Sequence, residues 1–431
     1  MKVAFYTLGC KVNQYETDVM RSAFENKGYE TTSNDENADI YIVNSCTVTS
    51  VADKKSRQKL RHFKRNNPNS IVVLTGCFAQ VYADKAKEIE EADIIVGVKG
   101  RSKMPEIVEN YLKDRQRIIN IIPNKNTDKF EAMSSTTFYE KTRAFIKIED
   151  GCNRFCSYCA IPLARGRVRS KPINELKDEI ILVAKAGYKE VVLVGINLAC
   201  YGQDTGSRLI DAIKTASEIE GIERVRLGSF EPEMLYESDL EEMLKIKEFC
   251  PHFHISLQSG SDETLKRMNR HYNSSEFYDI VTLIRKYFPD AAITTDVIVG
   301  FPGETDEEFK ASCEFVKKVG FSKIHIFPYS RRAGTVADKM PEQIISSTKT
   351  QRAKIMQEIA DDAETRFLKD KIGKTVLMLA ETVENGVLSG FTADYIPVRV
   401  ENDFFDTSLQ NTFIYAKIKG INKDYCIGEA L

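Results

Sequence analysis

Phe145-Ile146-Lys147-Ile148-Glu149-Asp150-Gly151-Cys152-Asn153-Arg154-Phe155-Cys156-Ser157-Tyr158-Cys159 decides how this chain is read. Phe145–Ile148 has the character of a strand, and three cysteines follow it at once. Further strands come after, at Val191–Val194, Val225–Leu227, Phe253–Leu257, Ile293–Val299 and Ile324–Tyr329, each about one helix from the last. Six strand–helix units suit a partial (β/α)6 barrel better than a flat sheet, and barrels carry their active sites on loops at the carboxyl ends of the strands. A long helical segment from Glu342 to about Lys369 leads out, so the expected core spans residues 141–370.

Three thiolates as close as Cys152, Cys156 and Cys159 can hold three irons of a cubane cluster and leave the fourth open. An open iron can be chelated by the amino and carboxylate groups of S-adenosylmethionine. An electron passed through the cluster can then split the sulfonium to a deoxyadenosyl radical, chemistry that belongs to the cofactor. The plainer readings are a thioredoxin-like Cys156/Cys159 pair or a structural zinc site. A redox pair leaves Cys152 unexplained, and no second close pair follows to complete a zinc ribbon. The spacing also differs from the ferredoxin run.

Upstream, Val3–Leu8, Ile40–Asn44, Ile71–Thr75 and Ile94–Val98 are apolar runs separated by amphipathic stretches such as Glu16–Lys27 and Asp53–Arg65. This alternation predicts a doubly wound parallel sheet over residues 1–118, with helices on both faces. Residues 119–140 lose the rhythm and read as a linker. Cys10, Cys46 and Cys77 each lie just past the carboxyl end of a predicted strand. In a doubly wound sheet those ends share one edge, where ligands bind. Taken singly, each is more often an inert core cysteine. Together they are candidates for a second cluster with its own open iron. Cys200, Cys250, Cys313 and Cys426 show no such convergence and read as packing residues.

Residues 371–431 change character again. Val376–Leu379, Val387–Leu388, Ile396–Val400 and Phe413–Ile418 are short strand signals, and Asn385-Gly386 between two of them is a hairpin turn. A small antiparallel β-barrel is expected there. The 431 residues carry a formal net charge of −2, so any nucleic-acid site must be a local basic patch. No stretch approaches a membrane span and no signal peptide is evident, which points to the cytoplasm. Ten cysteines in a reducing compartment favour metal or redox chemistry over disulfides.

Together these residues resemble the radical S-adenosylmethionine methylthiotransferases, over almost the whole chain. The resemblance rests on Gly-Cys-Lys-Val-Asn-Gln-Tyr-Glu (9–16), Asn-Ser-Cys-Thr-Val-Thr (44–49), Thr-Gly-Cys-Phe-Ala-Gln (75–80), the cysteine loop at 151–159 and Ala-Arg-Gly-Arg-Val-Arg-Ser (164–170). Leu-Gln-Ser-Gly-Ser (257–261), Val-Gly-Phe-Pro-Gly-Glu-Thr (299–305) and Pro-Tyr-Ser-Arg-Arg (328–332) continue it. It implies two [4Fe-4S] clusters, one on each cysteine triad, with S-adenosylmethionine serving both as methyl donor and as radical source. It implies that residues 371–431 form an RNA-binding TRAM-like barrel. Lys11-Val12-Asn13 and the run from Lys266 to Tyr272 look most like the bacterial branch that adds a methylthio group to C2 of threonylcarbamoyladenosine at position 37 of tRNA. Sister branches modify isopentenyladenosine in tRNA or an aspartate of a ribosomal protein. A low-potential electron donor such as flavodoxin or ferredoxin is implied. The rival from another class is a non-catalytic iron–sulfur RNA-binding protein.

Residues at the barrel-strand ends are expected to line the cofactor pocket: Gly195, Asn197, Ser229, Glu231, Gln258, Tyr329 and Ser330. Main-chain groups of Val299, Gly300 and Phe301 resemble the family's adenine-contacting segment. Arg165, Arg167, Arg169 and Lys171 form a basic run beside the cysteine loop and are expected to contact tRNA. Lys54, Lys55, Arg57, Lys59, Arg61, Lys64 and Arg65 crowd one helical segment, a second candidate RNA face or a merely solvated one. Ending the chain near Lys369 is expected to weaken tRNA binding while sparing cleavage of S-adenosylmethionine.

Overall fold

The computed structural model describes residues 1–431 apart from 35, 136–141 and 403–404. The end of the expected linker and the first residue of the expected core therefore lie outside the described residues. Strands β1 (Lys2–Thr7), β2 (Glu30–Thr32), β3 (Ile40–Ser45), β4 (Ile71–Gly76), β5 (Ile94–Val96) and β6 (Ile118–Asn120) form one parallel sheet in the order β2-β1-β3-β4-β5-β6. The central strands β3 and β4 are buried along their whole length, as a sheet covered on both faces requires. Ile40, Ile42 and Val73 pack with Met20, Phe24 and Val108 on one side, while Tyr41, Val43 and Leu74 pack with Leu60 and Phe63 on the other. The edge strands β2 and β6 have only three residues each, too few to leave a period. β6 carries the sheet past the expected boundary at 118, into the stretch read as linker.

The central region contains β7 (Arg143–Lys147), β8 (Glu149–Asp150), β9 (Arg169–Ser170), β10 (Glu190–Val194), β11 (Arg224–Leu227), β12 (Ser229–Phe230), β13 (His252–Ile255), β14 (Ala292–Val299) and β15 (Lys323–Pro328). β7-β10-β11 and β12-β13-β14-β15 are parallel sheets. Only Gly228 separates β11 from β12, and a parallel bridge from Val225 to Phe249 spans the break. Among the described residues nothing pairs β7 with β15, so the barrel is partial. Short strands β8 and β9 pair antiparallel, Glu149 with Ser170, and pin both ends of the cysteine loop. Gly151 sits at φ +84°, where a Cβ would fall 2.0 Å from the carbonyl oxygen of Arg167; only glycine lets the chain turn here. The helix Ser346–Lys369 leads out of the barrel and packs along β15.

Five strands close the C-terminal barrel: β16 (Thr375–Glu384), β17 (Val387–Thr392), β18 (Pro397–Glu401), β19 (Phe413–Asn422) and β20 (Tyr425–Ala430). Asn385 and Gly386 both adopt positive φ and join β16 to β17. The barrel is antiparallel except at its seam, where β18 and β20 run parallel. It is not a free appendage. Arg224 donates to the carbonyls of Phe391 and Leu377 at 2.9 and 2.8 Å, and Arg226 donates to that of Ala393 at 2.8 Å. Both arginines are buried on β11. The small barrel thus caps the end of the central barrel opposite the cysteine loop. Ending the chain near Lys369 would therefore strip two buried guanidiniums of their carbonyl acceptors, a cost to the central barrel that the sequence-based expectation does not include.

Candidate active site

Cys10, Cys46 and Cys77 follow β1, β3 and β4, three neighbouring strands. Cys10 caps the helix Lys11–Asn26, and Cys77 starts the short helix Cys77–Val81. The backbones come close: a Cβ on Gly9 would lie 2.8 Å from Sγ of Cys46, and one on Gly76 would lie 2.5 Å from the carbonyl oxygen of Ser45. Asn13 donates from Nδ2 to the carbonyls of Leu8 and Ser45, at 2.7 and 3.1 Å, and so ties the β1 and β3 loops together. Burial, reinforced by the neighbouring Cys77, pushes the Cys46 thiol up to about 12, and burial also raises that of Cys77.

The second triad hangs on the loop after β8. Burial raises all three thiols, those of Cys152 and Cys159 to about 12. Arg270 donates from Nη1 to Sγ of Cys156 at 3.1 Å. Its guanidinium is held by Glu231 at 2.6 Å, whose other oxygen pairs with Arg154 at 2.7 Å. The Cys46, Cys77, Cys152, Cys156 and Cys159 thiols are therefore held in their neutral form, and a metal that they ligate must displace their protons.

A buried ionic network runs between the triads. Glu16 pairs with Arg101 at 2.6 Å, Lys147 at 2.9 Å and Arg165 at 2.9 Å. Asp150 pairs with Arg165 at 2.9 Å, Lys147 at 3.2 Å and Arg169 at 3.5 Å. Arg165 also donates to Oδ1 of Asn13 at 2.7 Å. Asn13 and Glu16 stand three and six residues after Cys10, and Asp150 two before Cys152. The sheet domain and the barrel thus meet on charged groups that begin at one triad and end at the other. Burial pushes the Glu16 carboxyl up, but Arg101, Arg165 and Lys147 outweigh it and hold the group down at about 2. Four cations face two carboxylates here; of these cations Arg165 opposes the rise of the Cys46 and Cys77 thiols, but burial outweighs it.

The sequence-predicted residues divide clearly. Gly195 and Ser229 line a cavity of about 570 Å³ inside the barrel, which Cys10 also lines. Asn197 is buried with neither Nδ2 nor Oδ1 partnered, and the Tyr329 hydroxyl and Oε1 of Glu149 are also buried without partners among the described residues. Buried polar atoms need partners, so a polar ligand such as S-adenosylmethionine fits these strand ends. Glu231 lies at the site, but its carboxylate is occupied by Arg154 and Arg270. Gln258 sits at φ +69°, with its amide and carbonyl bonded to Asp296 and Ile298 of β14. The Gly300 N–H goes to Glu304 at 2.7 Å and the Val299 carbonyl accepts from Tyr329, so only remaining lone pairs there are free for adenine. Phe301 is buried against Tyr329, ring centroids 5.3 Å apart. Ser330 faces Ser50 of the sheet domain, accepting from its backbone N–H at 3.1 Å, and is an interdomain contact rather than a pocket residue.

The basic run is corrected. Arg165, Arg169 and Lys171 are buried, the last paired with Glu179, so they hold the interface and are not presented to RNA. Arg167 alone is exposed, 4.5 Å over the Phe155 ring. On the helix Ser50–Asn66, Lys54, Lys55, Arg57 and Arg65 are exposed. Composition alone cannot separate a cation that faces solvent from one facing a buried carboxylate. Arg332 was likewise missed: it is buried and donates to Thr47, directly after Cys46, at 2.7 Å. The signal for the network was present as charges inside apolar runs, Lys147 in β7 and Glu16 on the buried helix face.

Among the described residues no group of three His, Cys, Asp or Glu is set for a single metal ion. A cubane does not need one, because each thiolate takes its own iron. Also among the described residues, no helix is long and apolar enough to cross a membrane.

Residues 2–97 match the family described as "Uncharacterized protein family UPF0004", and residues 146–316 match the Radical SAM superfamily. The second match includes the Cys152/Cys156/Cys159 loop and replaces the thioredoxin-like and zinc readings. The threonylcarbamoyladenosine tRNA methylthiotransferase of Thermotoga maritima is 42% identical over 91% of this chain and 90% of its own length. The tRNA-2-methylthio-N(6)-dimethylallyladenosine synthase of Clostridium tetani is 34% identical over 90% and 87%. Among solved structures, the radical S-adenosylmethionine methyltransferase TsrM of Kitasatospora setae, with cobalamin and a [4Fe-4S] cluster bound, superposes with a TM-score of 0.57 at 13% identity, over 96% of this chain and 83% of that one; this likeness concerns the fold. S-adenosylmethionine and a [4Fe-4S] cluster come with the superfamily, and enzyme relatives matching over almost the full length set aside a non-catalytic RNA-binding protein. The chain belongs to the radical S-adenosylmethionine methylthiotransferases.

Proposed function

We propose that this enzyme inserts a methylthio group at C2 of N6-threonylcarbamoyladenosine at position 37 of tRNA, with one [4Fe-4S] cluster on each cysteine triad. The observation that carries this reading is the buried network of Glu16, Arg165 and Asp150, which ties the helix that follows Cys10 to the segment that precedes Cys152. The identity to relatives named for threonylcarbamoyladenosine, above that to the dimethylallyladenosine synthase, supports this base over its isopentenyl counterpart. When bound, the clusters and S-adenosylmethionine supply the radical chemistry and the methylated sulfur.

The chain's own residues do the rest. Asn197 and Tyr329 offer unsatisfied buried polar atoms to the cofactor. Arg270, fixed by Glu231, orients Cys156. Asn13 and Arg165 hold the Cys10 and Cys46 loops against the barrel, so that one base meets both centres; such positioning supplies much of a rate. Lys54, Lys55, Arg57 and Arg65, with Arg167, offer charge to tRNA phosphates near the target base. A low-potential flavodoxin or ferredoxin delivers electrons, and the reaction takes place in the cytoplasm. The test is mass spectrometry of tRNA nucleosides from a deletion strain. Loss of the 2-methylthio form of threonylcarbamoyladenosine, with the unmethylthiolated base accumulating, is expected. Loss of the isopentenyl derivative instead would assign the sister reaction.

A further inference from the structure

The cavity of about 570 Å³ lies on the inner faces of β13, β14 and β15, and Gly9, Cys10, Lys11 and Val12 of the sheet domain form part of its wall. Lys11 is the first residue after Cys10 and begins the helix Lys11–Asn26. Its ammonium lies 5.9 Å from the centroid of the Tyr395 ring, which the C-terminal barrel contributes to the same cavity. All three parts of the chain therefore meet around one lysine.

The other charges there already have partners. Asp296 pairs with His254 at 3.2 Å, Arg226 with Glu190 at 2.7 Å, Arg143 with Glu381 at 2.6 Å, and Lys323 with Glu364 at 2.9 Å. Lys11 has no carboxylate within 4.0 Å among the described residues. The Lys11 side chain is exposed toward this cavity, so an anionic group that enters the cavity finds an ammonium with no competing carboxylate. The ring of His325 lines the same wall, 5.8 Å from that of His254, and adds hydrogen-bonding groups.

We propose that Lys11 is a specificity-determining residue whose ammonium pairs with the carboxylate of the N6-threonylcarbamoyl group inside the barrel. This rests on the substrate reading above. C2 and the N6 substituent of the base flank the same ring nitrogen, and Cys10 and Lys11 line the same cavity, so a base whose C2 reaches the Cys10 triad brings the single carboxylate of its threonyl moiety within the reach of Lys11. An isopentenyl group offers the ammonium nothing and, on entering the cavity, would cover it without pairing it, so the site discriminates against such an analogue. The carboxylate of S-adenosylmethionine is the competing source of the same chemistry, so the experiment has an arm for each.

The experiment measures binding of the intact, cluster-reconstituted protein to two anticodon stem-loops, one with threonylcarbamoyladenosine at position 37 and one with adenosine, and separately to S-adenosylhomocysteine. Wild type is expected to prefer the modified stem-loop on the order of 30-fold or more, the worth of a buried hydrogen-bonded charge pair. Lys11→Met should erase that preference while leaving the unmodified stem-loop, S-adenosylhomocysteine affinity and thermal unfolding unchanged. Lys11→Arg should retain part of it. Preference undiminished in Lys11→Met overturns the proposal and leaves the substrate reading standing. Weakened S-adenosylhomocysteine binding with the preference intact overturns it in favour of the cofactor. Absence of any preference in wild type removes the substrate reading and the proposal together.

Discussion

Arg165→Met separates two accounts of one residue. A phosphate-binding arginine would show itself in tRNA affinity: its loss would reduce the salt slope of binding by about one and leave folding alone. The structure instead buries Arg165, with Nη1 at 2.9 Å from both Glu16 and Asp150 and Nη2 at 2.9 and 2.7 Å from Glu16 and Asn13. Glu16 keeps Arg101 and Lys147, but Asp150 loses a near partner and Asn13 its only side-chain link to the barrel among the described residues. Adding up four charge-assisted bonds would overstate the effect, because their formation displaces water. Breaking one side of a buried pair costs about 3–5 kcal/mol, a large part of the roughly 5–15 kcal/mol that holds a domain folded. The measurement is urea unfolding of Arg165→Met beside wild type, with tRNA binding followed over a series of salt concentrations on the protein that remains folded. A lower unfolding midpoint with an unchanged salt slope is expected. An unchanged midpoint together with a slope reduced by one would refute the buried-clamp account.

Cys156→Ala should form neither 5′-deoxyadenosine nor methylthiolated tRNA, whereas Cys46→Ala, altering the sheet-domain triad, should still form 5′-deoxyadenosine under dithionite yet transfer no methylthio group; chromatography of both products with iron analysis checks this. Methylthiolation at wild-type yield in Cys46→Ala would remove the role given to that triad. The Glu16 carboxyl is held at about 2, below its ordinary 4.5. Its contribution is therefore fully present above pH 4.5 and is lost as pH falls toward 2. Denaturation of wild type should steepen across that window, while Glu16→Gln, already less stable at neutral pH, should change less. Truncation after Lys369 should yield aggregated or poorly folded protein, because Arg224 and Arg226 lose their carbonyl partners; light scattering and circular dichroism report this, and a stable, soluble core with intact cleavage of S-adenosylmethionine would contradict it.

Local features of the sequence were sufficient for much of this. Strand and helix periods, glycines before Cys10 and Cys77, and the tight spacing of Cys152, Cys156 and Cys159 depend on neighbours within a few residues, and those neighbours are written in order along the chain. The Asn385-Gly386 hairpin belongs to the same class. Tertiary structure alone decided what the charges do. Arg165 and Arg167 are two residues apart with the same chemistry, yet one is buried against Glu16, distant in sequence, and the other faces solvent over Phe155. Glu16 and Asp150 become partners of one guanidinium only when the sheet domain folds onto β7. The parallel seam between β18 and β20, and the docking of the small barrel on Arg224 and Arg226, follow from how strands close in space. Charge pairing and domain docking are long-range contacts, and nothing in the local order of residues names their partners.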